Sequence, residues 1–500
     1  MSFLKKLAGD SVLYGINTIV GRLLNWLLVP LHTRVFVNPE VLAENNLLYT
    51  YVIPLNILFT FGMETTFFRY GNKPETQKAV FNQILSFILV LSVSLAGLII
   101  VFATPIVNYF GFPGKERLII WIAIIMAIDA ISAIAFAKLR INNQVKKFVG
   151  VRMLALFINI GLNLFFFLVC LPIINQGSGA PFYSLLSKIY NPSIGPDYII
   201  LANYVASSFT LLFLWKEFVP YRFQWNKEEL QKYIKYAYPL IFLGLAGSIN
   251  LTADRLMLRS LLPEGFYVGL TKDDAFSIYA NAYKISIFMT LIVQAYRFAA
   301  DPFFFSKMGD KNSPSMLAIS TKWFTIACII LWVGVSLNID WIGMLLGENY
   351  RSGLIIVPWL LLANLFIGLY GNMSVWYKLT DRTIYGTYIT VIGMVITVAL
   401  NFILIPKLGY MGCAYAFTIS SFVMVALSYY YGQKYYPVPY ETKRILLYLL
   451  AAAGFIVLNS YLNFDNMIVG VSVRMAQCFL FIGLIYYFEK NSFSQFKAHS

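Results

Sequence analysis

Residues 82–108 form the stretch NQILSFILVLSVSLAGLIIVFATPIVN, a run of 27 residues without Asp, Glu, Lys or Arg. A helix needs about 20 apolar residues to cross roughly 30 Å of hydrocarbon, so this run is long enough to span a bilayer. Apolar stretches of similar length recur along the whole chain, and no soluble domain fits between them. The sequence therefore predicts an all-α integral membrane protein.

We predict about 14 transmembrane helices, with boundaries good to a few residues. They cover 11–31, 47–68, 82–108, 118–138, 149–171, 198–218, 236–258, 276–296, 317–337, 354–377, 385–405, 411–431, 445–462 and 468–488. The longest connections, 172–197 and 297–316, are predicted loops by their composition.

The composition agrees with a membrane protein and excludes several other classes. Hydrophobic residues make up 59% of the chain and charged residues 12%, against roughly 25% charged in soluble domains. A net charge of +15 suggests nucleic acid in a soluble protein, but here short loops carry the Lys and Arg residues, which set topology and meet anionic lipids. We predict no nucleic-acid partner. The four cysteines lack CxxC spacing and there are two histidines, which excludes a disulfide framework and a His-based metal centre.

The Lys and Arg residues also predict the orientation. If the N-terminus is cytoplasmic, 26 of the 38 fall in cytoplasmic segments, 8 fall outside and 4 lie within spans. A wrong span count would have broken this alternation, so both termini are predicted to be cytoplasmic. Met1–Asp10 leads directly into a full-length span, so the first helix is expected to stay in the membrane and not to be cleaved.

A weak internal repeat predicts two pseudo-symmetric lobes. Spans 2 and 8 both end in an aromatic-rich basic motif, GMETTFFRY at 62–70 and AYRFAADPFFF at 295–305, and spans 1 and 7 share small residues followed by a polar cluster. Such repeats are typical of transporters built around a central site. The predicted parts are an N-terminal lobe 1–218 (spans 1–6), a basic cytoplasmic linker 219–235, a C-terminal lobe 236–431 (spans 7–12), and 432–500 with spans 13 and 14 and a short tail.

Charged residues near the middle of spans are the functional candidates, because each costs roughly 2.5–3.5 kcal/mol to insert. Polar or charged side chains occur at Arg22, Asn25, Glu64, Asp129, Asp254, Arg255, Asn281, Lys284 and Arg474. Each one could instead belong to a buried pair, such as Asp254 with Lys284 or Glu64 with Arg69, and Arg474 is interpreted as structural or snorkelling. Most of the set lies on spans 1, 2, 7 and 8, which predicts either a tight polar seam or a water-filled cavity with cationic walls.

The two motifs above, with SINLTADRLMLRSLLP at 248–263 and YANAYKISIFMTLIVQAYRFAADPFFF at 279–305, resemble the oligosaccharide (O-antigen type) flippases. These are the polysaccharide transporters of the multidrug/oligosaccharidyl-lipid/polysaccharide exporter superfamily. The resemblance covers nearly the whole chain, and its motifs are specific to the family and not to a substrate. It implies a bacterial inner-membrane protein that moves a polyprenyl-pyrophosphate-linked oligosaccharide, such as an O-antigen, capsule or exopolysaccharide repeat unit, by alternating access.

The resemblance places a set of charged residues on or near a central cavity. We expect cargo binding by Arg22, Asn25, Arg69, Arg255, Asn281, Lys284 and Arg297, and ion coupling by Glu64, Asp129, Asp254 and Asp301. No catalytic residue, metal or cofactor is expected. A proton gradient, a sodium gradient and the membrane potential are left open as energy sources, as is a contact with the glycan polymerase machinery.

Three alternatives stay open. A lipid II flippase and a multidrug exporter would share the fold. A membrane enzyme acting on lipid-linked sugars would need acid–base or metal-binding residues outside the membrane. The loop 172–197 offers only Asp197 at its edge, and Glu264, Asp273 and Asp274 are expected on a solvated surface, so we disfavour the enzyme.

Overall fold

The computed structural model describes residues 15, 17–306, 313–380, 382–462, 464 and 466–499. This described part is almost entirely helical and contains no strand, which confirms the predicted all-α class. A helix pairs its backbone N–H and C=O groups within its own segment, as hydrocarbon requires.

By packing contacts the chain divides into two compact units. The first comprises Met1–Ser260 and Tyr267–Ser277, and the second Leu261–Phe266 and Ile278–Ser500. This division lies C-terminal to the linker 219–235. The predicted lobes, which were defined by the internal repeat, stay a prediction.

The helices follow one another with short connections. Up to the first unit's end they are α1 (17–26), α2 (Leu28–Val35), α3 (Ala43–Thr60), α4 (Met63–Tyr70), α5 (Pro74–Val101), α6 (Ala103–Phe110), α7 (Glu116–Ile141), α8 (Val145–Leu164), α9 (Leu171–Gln176), α10 (Tyr183–Ile189), α11 (Tyr198–Phe213), α12 (Trp215–Phe218) and α13 (Lys227–Leu261). The remainder are α14 (Lys272–Tyr283), α15 (Ile287–Ser306), α16 (Ser313–Leu337), α17 (Ile339–Gly343), α18 (Val357–Met373), α19 (Val375–Leu379), α20 (Ile384–Leu408), α21 (Tyr410–Tyr435), α22 (Thr442–Ser460) and α23 (Met467–His499).

Twelve helical segments of the described part are long and apolar enough to cross a membrane, so the prediction of about 14 spans is close. The two other predicted spans are 11–31, which lies partly outside the described residues, and 198–218. In the structure, α1 and the start of α2 occupy the first of these, and α11 occupies the second. The 16 residues of α11 fall short of the usual spanning length.

Spans 2 and 8, which the repeat pairs with each other, are both interrupted. In span 2, Phe61 and Gly62 have left-handed backbones with φ of 49° and 64°, which end α3 and begin α4. Phe61 is strained there, because a side chain disfavours this conformation. In span 8, a 3-10 turn at Lys284–Ser286 separates α14 from α15. At membrane depth, an irregular backbone needs protein or water to form hydrogen bonds with its free N–H and C=O groups. Neither break can therefore face lipid.

Each unit has a helix that is buried on most sides. In the first unit this is α7, which packs against α3, α5 and α11 and buries small residues such as Ala123 and Ala130. In the second it is α18, which packs against α16 and α21. There, Gly368 of α18 leaves no room for a Cβ beside Val293, so the helices approach closely. These helices position the polar side chains described below.

Reporter fusions test the predicted orientation. We expect fusions after Lys6, Lys227 and Ser500 to report cytoplasm, and fusions near Gly179 and Asp273 to report the exterior, because positive residues stay on the cytoplasmic side. A paired phosphatase and fluorescent-protein reporter at each position measures this. External activity at Ser500 would mean an odd number of spans and would contradict the 14-span prediction.

Candidate functional site

Four charged side chains gather in the interior of the first unit. Glu64 of α4 accepts a hydrogen bond from Arg140 of α7 at 3.0 Å. Arg152 of α8 interacts electrostatically with Asp129 and Glu64, and with Arg140 as a like charge. The two carboxylates and two guanidinium groups balance, so this interior charged cluster has no net charge.

Aromatic rings frame the cluster. The Arg152 guanidinium lies over the Phe136 ring at 4.1 Å, and that of Arg140 lies 5.4 Å from Phe68 and 5.7 Å from Phe148. Cation–π contacts hold a guanidinium in place while leaving its edge free for an anion. The cluster is therefore ordered but can exchange hydrogen-bond partners.

The side chains of the interior charged cluster are partly exposed. About 40% of each side chain of the Glu64–Arg140 pair is exposed. Asp129 and Arg152 are also exposed. Asp129 lies at the middle of α7, so an exposed carboxylate stands well inside this helix. The choice between a polar seam and a cavity on spans 1, 2, 7 and 8 stays a prediction.

Oxygen atoms surround Asp129. Ser207 of α11 donates a hydrogen bond to its Oδ1 at 3.2 Å. The Tyr49 hydroxyl, which accepts from Asn203 at 3.2 Å, also interacts electrostatically with Asp129. A carboxylate among hydroxyl groups suits either a proton or a small hard cation. The predicted ion-coupling role of Asp129 thus has suitable surroundings and stays a prediction.

Arg22 projects from α1 with an exposed side chain. Arg22 lies one residue from the centre of the predicted span 11–31, whose first residues lie outside the described part of the chain. Neighbouring Asn25 accepts a hydrogen bond from Asn159 of α8 at 3.4 Å, which fixes this face of α1 against the unit. Within the described ranges no carboxylate lies at ion-pair distance from Arg22. An accessible cation without a protein anion is free to take one from a ligand.

The Asp254–Arg255 pair lies toward the C-terminal end of its helix, as it does in the predicted span 236–258. In the structure α13 has 35 residues, about 52 Å, and these two lie within two turns of its C-terminal end. The Arg255 Nε is 3.5 Å from Asp254 Oδ1, and the Arg255 backbone N–H donates to the same oxygen at 2.7 Å. Asp254 is buried, so its carboxylate is already engaged locally.

In the second unit, Lys284 is the candidate cation. Its Nζ donates to Asn281 Oδ1 at 3.0 Å, and Lys284 itself begins the 3-10 turn that interrupts span 8. Asn281 is buried, whereas Lys284 is half-buried and keeps part of its surface accessible. Arg297 is exposed on α15, and the side chain of Asp301 lies outside the described residues.

One of the two predicted pairs differs in the structure. Glu64 pairs with Arg140 and not with Arg69, whose guanidinium instead lies over the Tyr236 ring at 4.4 Å. Arg474 pairs with Asp340 at 2.7 Å, in line with its structural interpretation. The pair Asp254–Lys284 would join the two units and stays a prediction.

Asp273 and Asp274, two of the carboxylates predicted to lie outside the membrane, serve structural contacts. Asp273 forms an ion pair with Arg259, which also donates to the Phe110 carbonyl at 2.7 Å. Asp274, which was expected on a solvated surface, is buried: it accepts from the backbone N–H of Glu40 at 2.9 Å and from Thr271 at 3.0 Å. That expectation was wrong because Asp274 caps the start of α14. Among the described residues no three metal-ligating side chains converge.

Sequence reasoning missed Arg140 and Arg152. Both were counted with the basic cytoplasmic segment 138–152. The helix α8 begins at Val145, so Arg152 lies seven residues, about 10 Å, inside it. A signal was present, since Arg152 already falls within the predicted span 149–171.

No family model matches this chain, and no curated protein is similar to it in sequence. Solved structures with the same fold do exist. One is the lipid II flippase MurJ in an inward closed conformation, with a TM-score of 0.72, 16% identity, and 95% of this chain and 99% of that chain covered. Another is an inward-facing multidrug resistance MATE family transporter of the MOP superfamily, with a TM-score of 0.61, 15% identity, and 88% and 98% covered. A mutant of the Vibrio cholerae MATE transporter VcmN gives 0.58, 11%, and 86% and 97%. These likenesses confirm the predicted membrane fold.

Proposed function

We propose that this chain is a flippase that carries a polyprenyl-pyrophosphate-linked oligosaccharide across the bacterial inner membrane by alternating access. The observation that carries the proposal is Arg22, an exposed guanidinium near the middle of a span with no protein carboxylate at ion-pair distance in the described part of the chain. A charge at that depth is costly, and an anion beside it offsets the cost. A pyrophosphate brings that anion, and a guanidinium fork matches its oxygens.

The remaining candidates fit the same cargo. Lys284 presents a flexible ammonium at a break in span 8, and Arg255 lies next to Asp254 in α13. We propose Arg22 and Lys284 as the residues that bind the pyrophosphate, and Arg255 and Arg297 as further residues that bind the cargo. Amides such as Asn25 would meet sugar hydroxyls, and the polyprenyl tail would remain in lipid.

The similar structures include a lipid II flippase and multidrug transporters, and the charges of this chain favour the first kind of cargo. A lipophilic cationic drug would meet the unneutralised positive charge of Arg22 and be repelled. A lipid II flippase would carry a different glycan on the same type of lipid, and Arg22 does not discriminate between the two.

Translocation in vesicles tests the proposal. The purified chain is reconstituted with a polyprenyl-pyrophosphate oligosaccharide bearing a fluorescent sugar, and an impermeant quencher reports which leaflet holds the label. We expect the label to become accessible from the opposite face only with protein present, and excess lipophilic cationic drug to leave the rate unchanged. Drug transport without movement of the labelled lipid would support the multidrug exporter instead.

Asp129 gives a prediction about energy coupling. We expect Asp129→Asn, which keeps a hydrogen-bond acceptor for Ser207 but removes the charge, to abolish the dependence of transport on an imposed ion gradient. An amide cannot bind a proton and binds a cation weakly, so the coupled step disappears. The measurement compares rates with proton and sodium gradients applied separately. If the wild type is indifferent to both gradients, Asp129 is structural or the membrane potential alone drives the cycle.

A further inference from the structure

A pocket of about 660 Å³ lies within the first unit, apart from the interior charged cluster. The end of α4, the start of α5, the start of α13 and the connection before α13 form its walls. Its lining includes the polar, charged and aromatic side chains of Arg69, Lys73, Gln83, Trp225, Glu229 and Lys232. It lies on the side that the charge distribution predicts to be cytoplasmic. We call it the linker pocket.

The linker pocket is positively charged. It holds three cations, from Arg69, Lys73 and Lys232, against the single carboxylate of Glu229, which is 4.0 Å from the Lys232 ammonium. The first turn of the 28-residue helix α5 adds partial positive charge, and its Thr76 also lines the pocket. Charge of this sign and number suits a phosphate group.

Aromatic rings hold the cationic groups in place. The Arg69 guanidinium lies 4.4 Å from the Tyr236 ring, and the Lys232 ammonium lies 5.1 Å from the Tyr70 ring. Tyr70 packs in turn on Tyr233, with 5.0 Å between ring centroids. Two of the three cations are therefore held before any anion arrives, which lowers the entropy lost on binding.

The wall formed by the connection 222–226 is fixed by buried side chains of α5. Asn82, Gln83 and Ser86 accept hydrogen bonds from the backbone N–H groups of residues 222, 226 and 224 at 3.3, 3.1 and 3.0 Å. Gln83 also donates to the Asn226 carbonyl at 2.7 Å. Every second residue of the connection is thus bound to α5, so the linker pocket is a built feature of the fold.

The rim of the pocket has the character of a membrane interface. Phe223 and Trp225 are both exposed and stack with their rings 6° from parallel. Exposed Trp and Phe beside Lys and Arg are typical of the headgroup level of a bilayer, where one end of the ring is apolar and the other is wet. A phosphate that enters at this level belongs to a lipid more naturally than to a soluble metabolite.

We propose that the linker pocket binds the phosphate of an anionic phospholipid headgroup, with Arg69, Lys73 and Lys232 as its ligands and Trp225 against the glycerol region. The site joins the end of α4 to the start of α13, and α13 carries Asp254 and Arg255. A bound lipid would therefore stabilise the arrangement in which these helix ends meet. The inference does not depend on the nature of the transported cargo.

Bromine quenching of Trp225 tests the site on the full-length chain in nanodiscs. The chain has nine tryptophans, so the signal of interest is the difference between the wild type and Trp225→Phe. We expect this difference to be quenched by brominated phosphatidylglycerol at a concentration about thirtyfold lower in the wild type than in the double variant Arg69→Gln, Lys232→Gln, since each cation near an anionic surface contributes about a factor of five.

A matched control and a competitor make the outcome decisive. Lys78→Gln with Lys146→Gln removes the same charge from exposed positions outside the pocket and should quench like the wild type. Equal quenching by brominated phosphatidylglycerol and phosphatidylcholine in the wild type would overturn the proposal even if the double variant failed to fold. If quenching by brominated phosphatidylglycerol weakened equally in both double variants, general surface charge and not the linker pocket would account for the lipid binding. Relief of quenching by millimolar inorganic phosphate would assign the pocket to a soluble anion instead.

Discussion

Replacing Arg22 or Lys284 with Ala is expected to reduce transport about a hundredfold or more while the protein inserts and folds normally, because two charge-assisted hydrogen bonds to the pyrophosphate are lost. Both side chains are partly accessible, so truncation leaves no large buried cavity. Removing an unneutralised cation from a span also lowers its insertion cost, so the Arg22→Ala protein should be at least as stable as the wild type. The measurement is the initial rate of labelled-lipid translocation per folded protein in vesicles.

Charge-keeping substitutions separate the two roles. Lys284→Arg should retain partial transport, because the ammonium acts as a point charge and another cation can replace it. Arg22→Lys should lose more, since an ammonium cannot reproduce the two parallel hydrogen bonds of a guanidinium fork. Arg34→Ala, an exposed arginine at the end of the same helical stretch, serves as the matched control and should transport normally.

The opposite pattern would show that these residues only hold helices together. In that case transport would fall in proportion to the amount of folded protein recovered, and the two charge-keeping variants would behave alike. A variant that binds the labelled lipid with unchanged affinity but does not translocate it would assign the residue to the conformational step and not to the cargo.

The fold could be predicted from the sequence because a bilayer leaves few alternatives. A run such as 82–108 without any charge is compatible with a membrane helix and with little else, and the structure places α5 on it. The positions of Arg22, Asp129 and Lys284 within spans were also readable, since distance from a span end follows directly from residue number. A charge near the middle of a predicted span therefore identified three residues whose side chains are at least partly exposed in the structure.

Partners and exact depths could not be predicted in the same way. Glu64 and Arg140 are 76 residues apart, and no spacing rule indicates that α4 and α7 bring them together. Asp254 was placed in a span that starts at 236, but α13 is 35 residues long and starts nine residues earlier, at Lys227. Counting Lys and Arg by loop hid Arg152, because it was counted with the basic segment beside it although it falls within the predicted span 149–171.

Another residue that this counting assigned to the cytoplasm is Lys322, which is in fact buried. It lies in α16 of the second unit, and its Nζ is 2.7 Å from Glu441 and 3.0 Å from Glu489. Arg444 approaches the same carboxylates at 2.9 and 3.6 Å, and the Tyr448 hydroxyl donates to Glu489 at 2.8 Å. Glu489 is fully buried and Lys322 nearly so, so this network ties α22 and α23, the last two spans, to α16.

Lys322→Met is accordingly expected to cost about 3–5 kcal/mol of stability, because it leaves the buried Glu489 carboxylate short of its main counter-charge. The double variant Lys322→Met, Glu489→Leu should recover much of that loss, since two apolar side chains replace the pair and Arg444 keeps Glu441. Lys443→Met, the same change at an exposed neighbouring position, should stay within about 0.5 kcal/mol of the wild type. Thermal unfolding in detergent, followed by size-exclusion recovery, measures all three. If the double variant is as unstable as the sum of the two single variants, the residues stabilise α16 and α23 independently, and the ion pair does not hold the last spans in place.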